Sequence, residues 1–302
     1  MIDIFFAILV LISFFSMSIY SLFYEKKDFL YLFIITIFLF PIIKLNFYAS
    51  LVSILFLLTP VILRKKLDFT QLMFFCMFGS ILMSYFLLEF FLAYDIPYIF
   101  WITMITVILI CVLGIMGIFE DNLKKYLIYS NIIQLAFVLL DLGVAKIAGK
   151  ITTLGTIQIF NYVFAGLLLF TTVGVLSEDN KIKKISHLHG SFYRDKYNSL
   201  FSIVSALSLA GLPGLNIFVS EWFLFKTSFM INPIITIFGI FAALLLFVMY
   251  FKLANILFIG EGKLLKRSIK PLIYLNGFFA ALCLLFGLIP QIQIYMLNMV
   301  LS

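Results

Sequence analysis

The sequence predicts an all-α polytopic membrane protein: a bundle of about ten transmembrane helices, one of them discontinuous near residues 205–231. Of the 302 residues, 64% are hydrophobic and only 12% are charged, whereas an ordinary soluble domain has about 25% charged residues. The charges are clustered between apolar stretches close to the length of about 20 residues that crosses a bilayer. These observations exclude a soluble globular domain, and we expect residues 1–302 to form a single transmembrane domain.

Ten apolar stretches give the predicted spans. They lie at residues 2–24, 29–43, 47–63, 69–93, 98–119, 126–146, 151–176, 199–231, 234–259 and 271–299. The second is short for a span. The first begins with Asp3 and has neither a basic start nor a small-residue cleavage site, so we expect a retained helix rather than a signal peptide.

The basic residues predict how the spans are oriented. If the first residue faces outward, the inner loops hold Lys26, Lys27, Arg64, Lys65, Lys66, Lys124, Lys125, Lys181, Lys183, Lys184, Arg194, Lys196, Lys263, Lys266, Arg267 and Lys270. The outer loops then hold only Lys44, Lys146 and Lys150. Because short inner loops are enriched in Lys and Arg, this asymmetry supports ten spans with both termini outside.

No pattern in the sequence predicts a catalytic, cofactor-binding or metal site. Cys76, Cys111 and Cys283 lie in apolar spans without CxxC spacing, and His187 and His189 lie in a basic loop without other arrayed ligands. There is no Gly-rich phosphate loop and no nucleophile with an adjacent base. The net charge of +7 is explained by the topology, with anionic lipid or a partner subunit on the inner face. Nucleic-acid binding is not expected.

Ionisable residues inside the apolar spans are the candidate functional residues, because a charge in hydrocarbon is costly and normally faces a polar interior. Four stand out: Glu89, Glu221, Lys226 and Lys252. Glu89 is a candidate proton carrier, with a structural ion pair or a permanently protonated acid as the alternative. Lys252 can accept protons or extend to the inner interface, and we favour the interface. Asp141 lies near the predicted outer end of its helix, where it can reach water.

The eighth span is the most specific stretch of the sequence. In SALSLAGLPGLNIFVSEWFLFK (205–226), Gly211, Pro213 and Gly214 interrupt an otherwise apolar helix. A broken helix leaves free peptide groups, which a bilayer tolerates only beside protein or a water-filled cavity. Glu221 follows Gly214 by seven residues, about two turns. We therefore predict a polar pathway at the break, with a kink that only improves packing as the alternative.

Three segments resemble the antiporter-like membrane subunits of respiratory complex I, energy-converting membrane-bound nickel–iron hydrogenases and Mrp-type cation/proton antiporters. LSLAGLPGLNIFVSEW (207–222) resembles the discontinuous helix near the C-terminus of that family, and its FVSEW ending is most similar to the hydrogenase members. FEDNLKKYLIYSNIIQLAFVLL (119–140) is similar to the family's short loop and following helix. GLIP (287–290) resembles the closing helix. The resemblance covers mainly residues 80–295.

The resemblance implies a role in ion movement. Glu221 falls on the family's terminal acidic or basic position in the broken helix, and Glu89 on the glutamate of the N-terminal half-channel. Family members couple electron transfer in a peripheral arm to proton or sodium movement, by protonating and deprotonating a central row of such residues. These subunits hold no cofactor. Iron–sulfur clusters with nickel–iron or flavin are expected in partner subunits, in a prokaryotic cytoplasmic membrane or, alternatively, a mitochondrial inner membrane.

The chain also departs from the family. Members have about fourteen helices in two inverted repeats, each with a broken helix, but only one break is visible here. About 35 residues separate Glu89 from Lys124, too few for the first broken helix. Tyr162 and Ala165 stand where the family has a histidine and, a few residues later, the central lysine. We therefore expect a reduced subunit with a half-channel.

Two other function classes remain open. The first is a structural spacer that holds neighbouring subunits of such a complex without a complete channel of its own. The second is a free-standing transporter, which is less favoured because transporters generally have a pair of broken helices. In each case the chain itself has no catalytic site. For an ion-path subunit or a spacer, the expected host is an NADH dehydrogenase or a nickel–iron hydrogenase.

Overall fold

The computed structural model describes residues 2–24, 46–178, 182–260 and 270–301, and the predicted span at 29–43 lies outside them. The described chain forms twelve α-helices and a 3-10 turn at Ile185–Leu188. The helices are α1 Ile2–Phe23, α2 Asn46–Leu63, α3 Phe69–Ala93, α4 Ile99–Phe119, α5 Leu123–Ile147, α6 Ile151–Glu178, α7 Ser191–Arg194, α8 Lys196–Leu209, α9 Asn216–Ile231, α10 Pro233–Phe258, α11 Lys270–Leu288 and α12 Pro290–Leu301.

The lengths of the helices confirm a polytopic membrane bundle. Among the described residues, α1, α3, α4, α5, α6 and α10 are long and apolar enough to cross a membrane, and α11 with α12 passes the same test as a bent pair. Every predicted span that falls on the described residues is helical over most of its length. The class and the positions of these spans follow from length and hydropathy alone.

Helices α5 and α6 form the centre of the bundle. Every residue of the α6 window Leu154–Ser177 is buried, whereas α1, α4 and α10 leave most of their length on the outside. Small residues permit the close approach of the central helices. Gly155 of α6 packs against the side chain of Leu142 in α5, and Gly166 of α6 packs against Met77 in α3. The remaining helices surround this pair.

The basic loops meet at one end of the bundle, which we call the basic end. They are the connections at residues 64–68 and 182–195, which lie beside Lys124 and Lys125 at the start of α5. The connections at 120–122 and 259–260, which hold no Lys or Arg, lie at the same end. The Lys124 ammonium donates a hydrogen bond to the Leu67 carbonyl, and the amide of Leu123 donates to the Lys183 carbonyl at 3.0 Å. The clustering of these loops at one end agrees with the uneven distribution of Lys and Arg between the predicted inner and outer loops. The other end, which carries Lys146 and Lys150, is called the opposite end.

Asp121 fastens the long basic loop to the start of α5. Its carboxylate accepts hydrogen bonds from the Ser186 amide at 2.9 Å and the Ser186 hydroxyl at 3.1 Å. These bonds, chiefly the one from the backbone amide, hold the pKa of Asp121 below its ordinary value of 3.8. His189 lies in the same loop, with Nδ1 3.2 Å from the Ile259 carbonyl oxygen. His189 therefore contacts the backbone of the residue that follows α10.

The closing span is bent, which the sequence analysis did not predict. Residues 271–299 were expected to form one helix, but the segments Leu272–Leu288 and Pro290–Met299 meet at an angle of 97°. Pro290 lacks the amide hydrogen needed to continue α11. In addition, Gly287 lies directly against the backbone of Leu215, so that a side chain there would collide with it. The predicted span at 271–299 therefore consists of two helical segments with a sharp bend between them.

The Asp121 contacts predict a pH-dependent loop. Because the folded pKa is lowered, the carboxylate's contribution to loop stability is complete above about pH 4. It is lost as the pH falls through the lowered value. We expect Asp121→Ala to speed hydrogen exchange of the Ser186 amide at neutral pH, and acidification to produce the same effect in the unmodified protein.

Asp68→Ala is the matched control, because Asp68 also lies in a basic-end loop. Equal exchange rates at Ser186 in the Asp121 variant and the unmodified protein would contradict the fastening role.

Candidate ion-path site at the helix break

The predicted break is present between α8 and α9. Helix α8 ends at Leu209 and α9 begins at Asn216. Gly211 and Gly214 have φ angles of +69° and +91°, a region in which residues with a side chain are strained. Pro213 between them has no amide hydrogen to donate. The discontinuous helix therefore arises from local backbone chemistry, as the sequence predicted.

The carboxylate of Glu221 lies inside the bundle, against the break. Its side chain, on the second turn of α9, is only 6% exposed. A methyl group added at Gly211 would lie 2.8 Å from the Glu221 Cδ atom, so the glycine leaves the space that the carboxylate fills. Tyr250 of α10 is near enough to interact with it electrostatically. Glu221 thus faces neither lipid nor bulk water.

A polar cluster from α5 and α10 borders the same region. The Tyr250 and Ser130 hydroxyls are 2.7 Å apart. The Gln134 side-chain amide donates to the Leu209 carbonyl at 3.2 Å and reaches the Tyr250 hydroxyl at 3.4 Å. Leu209 ends α8, so its carbonyl has no intrahelical partner. Gln134 therefore satisfies a backbone group that the break releases.

One face of α8 carries buried polar residues from the basic end to the break. Asn198, Ser202, Ser205 and Ser208 follow one another at intervals of three or four residues, and all are buried. This spacing aligns them along one side of a helix. The Asn198 amide donates to Asp195 Oδ2 at 2.8 Å, next to the basic loop. The stripe thus begins at Asp195.

Neighbouring helices supply side-chain partners for this stripe. We call Asp195, the four α8 residues and these partners the polar track. Asn276 of α11 donates to Asn198 Oδ1 at 2.9 Å, and Thr172 of α6 lies 3.1 Å from the Ser202 hydroxyl. At the break, Ser208 donates to the Asn216 side chain, and Asn216 donates to the Asn161 carbonyl at 2.9 Å. The track is absent from the predictions made from the sequence, although the repeated polar spacing in YNSLFSIVSALSL could have indicated it.

Asp141 is more deeply buried than the sequence suggested. It was expected to reach water near the end of α5, but its side chain is only 1% exposed. It follows Gln134 by seven residues, two turns, and so projects from the same face of α5 toward the opposite end. Among the described residues, Asp141 Oδ1 and the Gln158 amide nitrogen have no hydrogen-bond partner. Buried polar atoms without protein partners can be satisfied by ordered water.

Glu89 lies at a different depth from Glu221. It is half-buried and lies four residues, about 6 Å, before the end of α3, whereas Glu221 lies ten residues, about 15 Å, before the end of α9. One turn before Glu89, the Tyr85 hydroxyl donates to Asp3 Oδ1 at 2.8 Å. The structure therefore places Glu89 near the opposite end, beside α1, rather than at the break.

The two candidate lysines also lie away from the break. The Lys252 ammonium donates to the carbonyls of Ile118 at 2.8 Å and Glu120 at 3.1 Å, which end α4 at the basic end. A lysine there stabilises the terminal carbonyls of a helix, which agrees with the interfacial alternative. Lys226 is exposed at the opposite end and lines a cavity together with Lys150.

Two further side chains bear on what the site can do. Tyr162, which stands where the resemblance implied a histidine, is buried and donates to Asn131 Oδ1, with Ser80 Oγ at 3.3 Å. Ala165 is buried and has no ionisable group. Among the described residues, no group of three or more His, Cys, Asp or Glu could hold a metal ion.

A bundle of apolar helices, with a helix interrupted beside a buried acid, is an arrangement found in membrane transport proteins. Residues 72–249, more than half of the chain, match the family described as NADH:quinone oxidoreductase/Mrp antiporter, TM. The chain therefore belongs to this family of antiporter-like membrane subunits.

Individual relatives agree with this assignment. NADH-quinone oxidoreductase subunit N of Desulforamulus reducens is 28% identical over 150 residues, which is 50% of this chain and 31% of the relative. The fold is shared with a chain of respiratory complex I from Thermus thermophilus, with a TM-score of 0.63, 18% identity and coverage of 75% of this chain and 51% of that one.

A chain of the Mrp complex from Dietzia sp. DQ12-45-1b gives a TM-score of 0.64 at 12% identity, covering 85% of this chain and 66% of that one. The match thus spans about a third of the curated relative and half to two thirds of the solved chains.

Substitution of two glycines that have almost the same φ angle tests the geometry of the break. Gly211 and Gly149 have φ angles of +69° and +67°, but a side chain at Gly149 would meet nothing within 4 Å. We expect Gly149→Ala to cost about 1–2 kcal/mol from backbone strain alone. Gly211→Ala should cost more, because its methyl group also displaces the Glu221 carboxylate.

Thermal unfolding of both variants in detergent, compared with the unmodified chain, measures this difference. Equal losses of thermal stability would show that Glu221 does not fill the space at Gly211.

Proposed function

We propose that this chain is a reduced antiporter-like subunit that carries ions, in the first place protons, along part of a path across the membrane. It would work within a redox-driven complex of the complex I or energy-converting hydrogenase type. The single observation that carries the proposal is the buried Glu221 carboxylate beside the interrupted helix. A charge at that depth costs at least a few kcal/mol unless a polar interior receives it.

The polar track supplies a route to Glu221 from the basic end. Its serine and threonine hydroxyls can donate and accept hydrogen bonds at once, which permits protons to pass between them and intervening water. The track begins at Asp195 near bulk water and ends at Asn216, on the turn of α9 before Glu221. The carboxyl group of Glu221 can then hold one proton at a time. These residues form the half-channel in our proposal.

The route from Glu221 to the opposite end is proposed to use Gln134 and Asp141. Gln134 adjoins the break, and Asp141 lies two turns further along the same face of α5. Water could accept a hydrogen bond from the unpartnered nitrogen of Gln158 and donate one to the unpartnered oxygen of Asp141, which would connect both to the route. Asp141 is therefore a second candidate carrier, while Glu89 remains a candidate nearer the surface.

The alternative is a structural spacer, and one observation favours it. Ala165 and Tyr162 supply no permanent positive charge at the centre of α6, where the family resemblance implied a lysine. A spacer would keep the packed polar interior but move no ions. Measurements of conduction, rather than of assembly, distinguish the two functions.

The partners and the location are part of the same proposal. We infer other membrane subunits and a peripheral redox arm, with iron–sulfur clusters and either nickel–iron or flavin in those partners. The basic residues clustered at one end of the bundle support an orientation with that end inside and both termini outside. In our proposal the membrane is a prokaryotic cytoplasmic membrane. Residues 1–302 would form a single transmembrane domain. Sodium remains an alternative to the proton.

Glu221→Gln tests the central claim. The amide has the same shape but carries no exchangeable acid proton, so we expect proton pumping by the whole complex to fall at least about tenfold. Electron transfer would continue. Pumping is measured in proteoliposomes with a pH-sensitive dye, and electron transfer is followed separately.

Glu120→Gln is the matched control, because Glu120 pairs with Lys125 at 3.3 Å at the basic end, away from the break. Glu89→Gln, assayed in parallel, reports whether the acid near the opposite end contributes. Unchanged pumping in the Glu221 variant would remove the ion path and leave the spacer function.

Asp141→Asn tests the second half of the route. We expect a loss of pumping of similar size, because the buried carboxyl group has no neighbouring acid to replace it on that face of α5. The control is Asp95→Asn, since Asp95 is exposed and pairs with Lys146 at 3.2 Å. If pumping depends on Glu221 but is normal in the Asp141 variant, the route beyond Gln134 must follow other residues.

A further inference from the structure

A cavity of about 330 Å³ opens at the opposite end, between α6, α9 and α12. Its volume lies in the range of small-molecule sites, about 300–1,000 Å³. Helix α6 contributes Leu154 and Ile157, α9 contributes Phe223 and Lys226, and α12 contributes Leu297. Helix α12 reaches the cavity because the chain turns by 97° before Pro290. The bend before Pro290, which was not predicted from the sequence, thus brings α12 into the wall of the cavity.

Two ammonium groups border the cavity. Lys150 directly precedes α6, and Lys226 lies five residues, about 7.5 Å, before the end of α9. None of the ten described residues that line the cavity is acidic. Lys146 lies at the same end but outside this lining, and it pairs with the Asp95 carboxylate at 3.2 Å. The charge of the cavity therefore favours an anion and disfavours a cation path through Lys226.

The floor of the cavity is apolar. Leu154, Ile157 and Leu297 line it, together with Phe223. A soluble anion such as free phosphate would bind the lysines but leave this floor uncovered. A ligand that matches both parts has an anionic head and a hydrocarbon chain. At the border between headgroups and acyl chains, such a molecule is an anionic phospholipid.

We propose that this cavity binds one anionic phospholipid, with its phosphate between Lys150 and Lys226 and part of an acyl chain on the floor formed by α6 and α12. The remainder of the lipid lies in the bilayer, because the cavity holds only part of such a molecule. The bound lipid would join α12 to α6 and α9. This inference is independent of ion conduction by Glu221.

The test uses the purified complex that contains the full chain. The complex is freed of lipid in detergent and titrated with phosphatidylglycerol, and retained lipid is counted by native mass spectrometry. We expect the double variant Lys150→Gln with Lys226→Gln to bind phosphatidylglycerol at least about tenfold more weakly, since each lysine supplies a charge-assisted contact. Lys226→Arg should retain binding.

Lys146→Gln is the matched control, because it removes a lysine at the same end outside the cavity. Unchanged binding by the double variant would overturn the proposal, provided that the variant still assembles, as its intact mass shows. Equal binding of phosphatidylcholine by the unmodified complex would also overturn it. Displacement of the lipid by inorganic phosphate alone would identify a site for free phosphate instead.

Discussion

The structure depends on sheltering the interrupted backbone between α8 and α9. In hydrocarbon an unpaired peptide group costs several kcal/mol, so a break persists only where protein or water satisfies it. Gln134 donates to the Leu209 carbonyl, and Asn216 links α9 to the Asn161 carbonyl of α6. Gly287 allows α11 to lie against Leu215. Three helices therefore hold the break.

The groups that shelter the break also create the environment of Glu221. Amide and hydroxyl side chains placed to satisfy free backbone leave a polar interior, and a carboxyl group can persist there. The buried face of α8 extends this interior toward the basic end, and Asp141 extends it toward the opposite end. The residues that satisfy the interrupted backbone are thus also residues of the proposed ion path.

Basic residues at membrane depth have two different surroundings in this protein. Lys252 reaches the terminal carbonyls of α4 at the basic end, where the helix dipole favours a cation. Lys226 faces a cavity with a second lysine at the opposite end. Neither forms part of the cluster around Glu221. Both lysines lie in apolar spans, but their positions along the helix axes keep them away from the residues of the candidate ion path.

The sequence by itself determined the membrane class, the positions of the spans, and the break at Gly211, Pro213 and Gly214. These features depend on hydropathy and on backbone chemistry, which are properties of a short segment. Only the tertiary structure decided that Asp141 is buried, that one face of α8 is polar and enclosed, and that the closing span bends beside Leu215. Whether a residue is buried depends on which helices pack against it, and those helices come from segments far apart in the chain.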